Sequence, residues 1–281
     1  MNGHAYAKIN LGLHIVGKRG DGYHDIETIF HRTALCDDIT VEPSDRITVT
    51  CSVPGVPTDE QNHCWKAVEL LRNALGLHTG ASVAITKRIP TGAGLGGGSS
   101  DAAAVLRMLP LVWNVPAPME LLHSVALRIG SDVPYFLTDS TAYAEGRGET
   151  LRPVPLDLPY WILLVNPNIH ISTPWAYGAL AARRNGAFPV RPSLGERFAA
   201  DPLGTVLSAV NDFEEVVFEH HPSIGSIKQQ LLSAGALSSV MSGSGSTVYG
   251  LFADAAAAKN AALSFSNAMF VHLTEPHFSP V

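Results

Sequence analysis

Cysteine is scarce. Three occur in 281 residues, Cys36, Cys51 and Cys64, too few and too scattered for a disulfide framework and without a CxxC pair. Their odd number points to free thiols in a reducing compartment, each read as a small core hydrophobe rather than a nucleophile. Charge is sparse too: Asp, Glu, Lys and Arg make up 16% of the residues, the net charge is −6, and no block of like charges occurs. A nucleic-acid binder wants a basic face or run, and none is visible. The opening Met1-Asn2-Gly3-His4-Ala5 has no basic stretch leading into an apolar one, so no signal peptide is expected. The longest strongly apolar run, Tyr160 to Val165, is far short of the ~20 residues that cross a bilayer. These absences leave a soluble cytoplasmic protein as the expectation, with neither nucleic acid nor membrane as partner.

What is present is a globular composition, 46% hydrophobic, long enough for about two domains at roughly 150 residues each. Ala5 to Ile15 reads as a strand with Ile9, Leu11, Leu13 and Ile15 on one face. Ile47 to Cys51 and Val83 to Lys87 alternate as strands. Between them Cys64, Val68, Leu71 and Leu75 recur at helical spacing, with Gly76 as a stop. A helix is expected after Ser99, and another over Pro118 to Ile129, bounded by its proline and by Gly130. Trp161 to Val165 reads as a buried strand, and Arg183 to Asp201 as an irregular connection. Ile224 to Leu232 is helical. Ser239 to Met241 and Thr247 to Phe252 read as strands around a Gly/Ser loop, followed by an Ala-rich helix after Asp254. Strands and helices mix without strict βαβ alternation, which predicts an α+β fold. A boundary near residue 155 predicts an N-terminal domain over 1–155 and a C-terminal domain over 156–281.

One segment stands out: Pro90, Thr91, Gly92, Ala93, Gly94, Leu95, Gly96, Gly97, Gly98, Ser99 and Ser100 join a strand to a helix. Five glycines in seven positions let the backbone approach an anion and turn N–H groups toward it. The following helix adds unpaired N–H groups and its positive end, and Ser99 and Ser100 add hydroxyls. A flexible linker is the bland alternative, but linkers rarely run straight from a periodic strand into a helix. The spacing fits Gly-x-Gly-x-x-Gly formally. However, no acidic residue ends a second strand about 20 residues on (Glu120 starts a helix instead), and the Gly-Lys-Ser/Thr of a Walker loop is missing.

Three separated segments, Ala7-Lys8-Ile9-Asn10-Leu11, the loop Pro90 to Ser100, and Ser242-Gly-Ser-Gly-Ser-Thr247, resemble the three motifs of the GHMP kinase superfamily. Arg19 to His24, Ile129 to Pro134 and Glu145 to Glu149 extend the resemblance, in the family's order, over nearly the whole chain. Within the superfamily the match is to a branch that uses ATP to phosphorylate the 2-hydroxyl of a methylerythritol unit carried on cytidine diphosphate, a step toward isoprenoid precursors. The resemblance implies an N-terminal domain like ribosomal protein S5 domain 2 and a ferredoxin-like C-terminal domain.

The resemblance also implies roles. Asp132 is the candidate base, with Lys8 beside it to keep it ionised and to favour negative charge on the attacking oxygen. On sequence alone, Asp132 in Gly-Ser-Asp is better read as a turn aspartate and Lys8 as a solvated strand lysine. Asn10, Tyr23 and His24 fall around the cytidine and erythritol parts, with Thr173 and Tyr177 where a further ring meets the base. On spacing alone Tyr177 is helix core, and Tyr23 and His24 are a hairpin pair. Asn62 and Lys87 fall near the adenosine, although His63-Cys64-Trp65 follows Asn62 where an apolar residue is common. A hairpin turn accounts for Ser242 to Thr247 nearly as well as phosphate support does. Asp101 reads as a first-turn helix aspartate rather than a metal ligand, and no metal site of the protein's own is expected. Mg²⁺ is expected to arrive with ATP, and a monomer or weak homodimer is expected. The competing readings are another small-molecule kinase of the superfamily, a nucleotide-binding regulatory module without chemistry, and a nicotinamide oxidoreductase.

Overall fold

The computed structural model describes residues 1–265, 267 and 269–280. Two long strands open the chain, β1 (Asn2–Lys18) and β2 (His24–Ser44), and they pair. The Met1 amine meets the Val41 carbonyl, His4 meets Asp38, and Asn10 meets Thr28; partners that run in opposite directions make the pair antiparallel. The strand expected over Ala5 to Ile15 lies inside β1, with Ile9, Leu11, Leu13 and Ile15 buried as expected. Its alternate positions Lys8, Asn10 and His14 are buried as well. Because strand side chains alternate between faces, β1 has one apolar face and one polar face, and polar groups without water must find partners.

The chain divides into two compact units that interleave along the sequence. The first takes Met1–Ala7, Cys36–Ile89 and Gly96–Asp139; the second takes Lys8–Leu35, Pro90–Leu95 and the chain from Ser140 onward. In the first unit β3 (Thr48–Cys51) lies parallel to β4 (Gly80–Thr86), which runs antiparallel to the end of β2 with Ile39 opposite Ile85. Helix α1 (His63–Ala74) buries Cys64, Ala67, Val68 and Leu71, a single stripe at helical spacing. Helices α2 (Gly97–Trp113) and α3 (Met119–Ile129) follow, and a 3₁₀ turn at Pro134–Leu137 closes the unit. Pro118 caps α3 rather than starting it, a shift of one residue that suits proline's fixed φ and absent N–H.

In the second unit β5 (Ala142–Gly146) pairs with the first half of β2, and β6 (Thr150–Pro153) pairs with β5. Beyond them come β7 (Trp161–Asn166), α4 (Thr173–Arg183), α5 (Leu194–Ala200), α6 (Pro202–Leu207), α7 (Glu214–His220), α8 (Pro222–Ser233), β8 (Ser238–Met241), β9 (Val248–Phe252), α9 (Ala255–Ser264) and β10 (Phe270–Thr274). The sheet order is β10-β7-β9-β8, all antiparallel. A β-α-β-β-α-β succession with its last strand beside its first is the ferredoxin-like arrangement. Leu163, Val165, Leu180, Phe213, Ile224, Ile227, Val248 and Phe252 share its core. The mixture is α+β, as expected. No helix of the described residues is long and apolar enough to cross a membrane, and the three cysteines are free thiols, with only Cys64 fully buried.

The stretch expected to be irregular, Arg183 to Asp201, contains α5 at its end. The helix was hidden because its N-terminus is held from far away. The Glu27 carboxylate accepts the Leu194 N–H and the Ser193 hydroxyl at 2.9 Å each, and also the Tyr143 hydroxyl at 2.9 Å. Glu27→Ala leaves three donors without an acceptor and is expected to destabilise the protein by about 1–3 kcal/mol in urea unfolding. A change below about 0.5 kcal/mol, the range of an ordinary surface substitution, contradicts the role given to Glu27.

Candidate active site

The polar face of β1 is organised around Asn10. Its side-chain oxygen accepts the Lys8 ammonium at 2.7 Å, and its side-chain N–H donates to Thr28 at 2.8 Å, whose hydroxyl donates in turn to the Gly12 carbonyl at 2.6 Å. The Asn10 N–H donates to the Ser242 hydroxyl at 3.2 Å, and its carbonyl accepts from the Tyr249 hydroxyl. Lys8 is only 4% exposed and stands 4.9 Å from the Phe30 ring centre. An ammonium kept in such a place must be held by charge or hydrogen bonds, and Asn10 supplies one.

The glycine loop begins on this same unit. Gly92, Gly94 and Gly96 all have positive φ, 62°, 77° and 69°, while Ala93 and Leu95 between them are buried. Three consecutive carbonyls are taken from behind: Ala93 by the Thr247 N–H at 3.2 Å, Gly94 by the Ser242 hydroxyl at 2.9 Å, and Leu95 by the Lys8 N–H at 3.0 Å. In a trans peptide the carbonyl and the N–H point opposite ways. The N–H groups of Gly94, Leu95 and Gly96 therefore face away from β1 and the Ser242 segment, as an anion-binding concavity requires. A Cβ on Gly94 would lie 2.0 Å from the Ser242 carbonyl oxygen, and one on Gly92 would lie 2.3 Å from Nδ1 of His170. The two loops touch too closely for any side chain. Past Gly96 the chain enters α2, whose N-cap is Gly96 itself. Of the two serines there, Ser100 spends its proton on the Tyr6 carbonyl at 2.7 Å.

Beneath the start of α2 lies a buried ion cluster. Lys87, 5% exposed, bonds Asp37 and, at 2.6 Å, Asp101. Asp37 also accepts the N–H groups of Arg88 at 2.5 Å and Ile89 at 2.8 Å. Burial pushes the Asp101 carboxyl up to about 7 against the pull of Lys87. Burial alone lowers Lys87, but Asp101 and Asp37 outweigh it and the ammonium is held above its ordinary range. The Lys87 ammonium is 3.0 Å from where a Cβ on Gly97 would stand. Asp101 lies beyond the first turn of α2 and is a buried ion-pair partner, not the first-turn helix aspartate expected from the sequence. Asn62 caps α1, accepting the Cys64 N–H at 2.8 Å and donating to the Pro57 carbonyl at 2.6 Å.

His63, the first residue of α1, sits 3.8 Å and 4.0 Å from the Cβ positions of Gly98 and Gly130, and burial lowers its pKa. Its substitution for a common apolar residue was visible in the sequence; its placement between α2 and the Asp132 turn was not. Asp132 is half-buried in that turn, which the Val133 N–H closes onto the Gly130 carbonyl at 3.2 Å. It belongs to the first unit and Lys8 to the second.

Aromatic residues gather elsewhere on the second unit. His24 stacks on Tyr177 with centres 4.7 Å apart and planes 15° from parallel, Phe188 meets His24 edge-on, and Tyr177 meets Phe213 at 86°. Burial lowers the His24 pKa, which favours the neutral ring. Tyr23 is exposed in the turn between β1 and β2, with the Arg147 guanidinium 4.8 Å over its ring. The Thr173 hydroxyl lies 2.8 Å from that of Ser244. Phe188, in a segment with no regular pattern, was not singled out in the sequence, and Arg147 lay inside the Glu145 to Glu149 motif with no role assigned to it. On the first unit His4, Cys36 and Asp38 converge with ligand atoms within 4.8 Å, but Arg88 already bonds both Asp38 oxygens, so the carboxylate is neutralised without a cation.

A glycine loop sewn to a strand that carries a buried lysine, in a chain that also holds a ferredoxin-like sheet, is the arrangement that the GHMP kinase resemblance leads one to expect. The models of the GHMP kinases N-terminal domain and C-terminal domain match residues 62–140 and 200–272. The chain belongs to the GHMP kinases. It is 45% identical over 277 residues to the 4-diphosphocytidyl-2-C-methyl-D-erythritol kinase of Chlorobium phaeobacteroides, covering 98% of this chain and 97% of that one. It is 44% identical to the same-named kinase of Salinibacter ruber, with 92% of each chain covered. A crystal structure of 4-(cytidine 5'-diphospho)-2C-methyl-D-erythritol kinase superposes with a TM-score of 0.80 at 31% identity, covering 98% and 99% of the two chains. A homoserine kinase from Cytophaga hutchinsonii, with a TM-score of 0.70 at 15% identity, shares the fold.

Lys87→Met leaves two carboxylates buried without their cation and is expected to cost about 3–5 kcal/mol in urea unfolding at pH 8. Asp101→Asn, which keeps Lys87 paired with Asp37, is expected to lose less than half of that. Equal stability of Lys87→Met and the wild type contradicts the cluster's role.

Proposed function

We propose that this chain transfers the γ-phosphoryl group of ATP to the 2-hydroxyl of 4-diphosphocytidyl-2-C-methyl-D-erythritol, giving the 2-phosphate and ADP. The observation that carries the reading is the near-full-length identity of 45% to a kinase named for that substrate. The loop geometry supports the donor half. N–H groups of Gly94, Leu95 and Gly96, followed by the positive end of α2, suit the phosphate oxyanions. Asn62 and Lys87 shape the adenosine end through the starts of α1 and α2, since their own polar groups are engaged within the protein.

Phosphoryl transfer to an alcohol is mostly positioning and charge neutralisation. The hydroxyl oxygen bonds to the γ-phosphorus as the bridge to the β-phosphate breaks, and the hydroxyl proton passes to Asp132. Lys8, oriented by Asn10, offsets the negative charge gathering on the attacking oxygen and the transferring group. The loop carries no carboxylate and its N–H groups cannot ligate a cation, so magnesium would take its oxygen ligands from the ATP phosphates, water and the Ser99 hydroxyl, and would screen the phosphate charge. At the acceptor end, the ring pair His24 and Tyr177 with Tyr23 offers faces for cytosine. Thr173 and Asn10 are the remaining substrate-side groups. The enzyme is read as cytoplasmic, monomeric or weakly dimeric, and without nucleic-acid partners. Its functional division is read as 1–155 and 156–281, with one family model on each side of the boundary.

Asp132→Ala and Lys8→Ala are each expected to lower kcat by roughly 10²–10⁴ with little change in ATP affinity. An ADP-coupled assay decides; near-wild-type kcat in either variant removes that residue from the mechanism. In the same assay methylerythritol phosphate lacking the cytidylyl group is expected to be a poor substrate. Equal turnover of the two acceptors contradicts cytidine recognition.

A further inference from the structure

Asn211 lies in a segment that no sequence motif singled out, yet it is 3% exposed and fully engaged. Its side-chain N–H groups donate to the Met241 carbonyl at 2.6 Å and the Gly243 carbonyl at 2.7 Å, and its oxygen accepts the Phe213 N–H at 2.9 Å. The two carbonyls flank Ser242, whose hydroxyl meets both the Asn10 N–H and the Gly94 carbonyl. The backbone around Asn211 is laced to β1 independently. Leu13 donates to the Val210 carbonyl at 2.9 Å, Asp212 donates to the Leu13 carbonyl at 3.0 Å, and the Asp212 carboxylate accepts the Ile15 N–H at 2.8 Å. Arg184 and Arg191 hold that carboxylate in turn, at 3.1 and 2.6 Å.

The residue therefore ties three pieces together: the strand bearing Lys8 and Asn10, the Ser242 segment, and through Ser242 the glycine loop. We infer that Asn211 is a positioning residue for phosphoryl transfer, fixing Ser242 so that one hydroxyl sets both the Lys8–Asn10 pair and the Gly94 peptide. Only a side chain with two donors on one atom and an acceptor on another can hold two carbonyls 241 and 243 while closing its own turn onto Phe213. Asparagine meets that demand at this length. The inference rests on the kinase reading above for its catalytic consequence, but not for its structural one.

The test uses the full chain with Asn211→Ser, Ser242→Ala and the double variant. Serine still accepts the Phe213 N–H, which preserves the local turn, but is too short to grip both carbonyls. Each single change is expected to lower kcat about tenfold or more, and the double variant is expected to be no slower than the worse single, the mark of one shared pathway. Fold-changes that multiply, or an Asn211→Ser enzyme with wild-type kcat, overturn the inference. Amide hydrogen exchange is measured alongside, at Gly245 and Thr247, whose N–H groups bond the Ser242 and Ala93 carbonyls. Faster exchange at both in Asn211→Ser, with α8 and β7 unchanged, supports the positioning role, and unchanged exchange at both overturns it. Should the wild-type chain transfer no phosphoryl group to the cytidylyl acceptor, the function proposed above fails while the exchange measurement still decides this inference.

Discussion

Everything about the donor loop follows from where its carbonyls go. Three successive C=O groups, of Ala93, Gly94 and Leu95, are claimed by Thr247, Ser242 and Lys8. A backbone whose carbonyls are spent on one side presents its N–H groups on the other. Glycine is needed because the alternation turns φ positive at Gly92, Gly94 and Gly96 and because Gly94 packs against the Ser242 carbonyl with no room for a methyl group. The fold itself turns these N–H groups outward, so in the proposed phosphate-binding role they would need no reorganisation at the moment of reaction.

The same lacing explains how three motifs separated by more than 200 residues act as one. The Lys8 backbone holds the loop, the Lys8 side chain is held by Asn10, and Asn10 is held by Ser242 and Thr28. A polar strand face buried in this way is costly wherever a group goes unsatisfied; Lys8 and Asn10 find partners on it, while Nδ1 of His14 finds none. The Lys87 cluster does comparable work for the first unit, where two carboxylates share a cation under the start of α2.

Much of this was legible in the residues, for identifiable reasons. Helices α1, α3 and α8 and the strands β4 and β7 carry their own periodicity and stops. The loop announces itself through its glycines. Residues such as Lys8 and Asp132 carried little signal on their own, because a strand lysine and a turn aspartate are usually solvent-facing and structural; the shared order of motifs singled them out. What could not be read depends on partners distant in sequence. Helix α5 is capped by Glu27, and β2 hides its 21 residues behind interior charges such as Asp37, whose partners Lys87 and Arg88 come some 50 positions later. Asn62 and Asp101 looked like nucleotide-facing or dipole residues, and only the folded chain shows that a cap and an ion pair occupy them. Phe188 and Asn211 have no local pattern at all.

In the proposed reaction the N–H groups of Gly94, Leu95 and Gly96 are a ready-made cradle for the phosphates of the donor. The measurement that reaches it most directly is amide NMR of the ¹⁵N-labelled chain titrated with a non-hydrolysable ATP analogue. Large downfield proton shifts at those three amides, with the Lys8 and Thr247 amides holding their positions, are the predicted result. Saturable nucleotide binding that leaves those three amides where they were contradicts it.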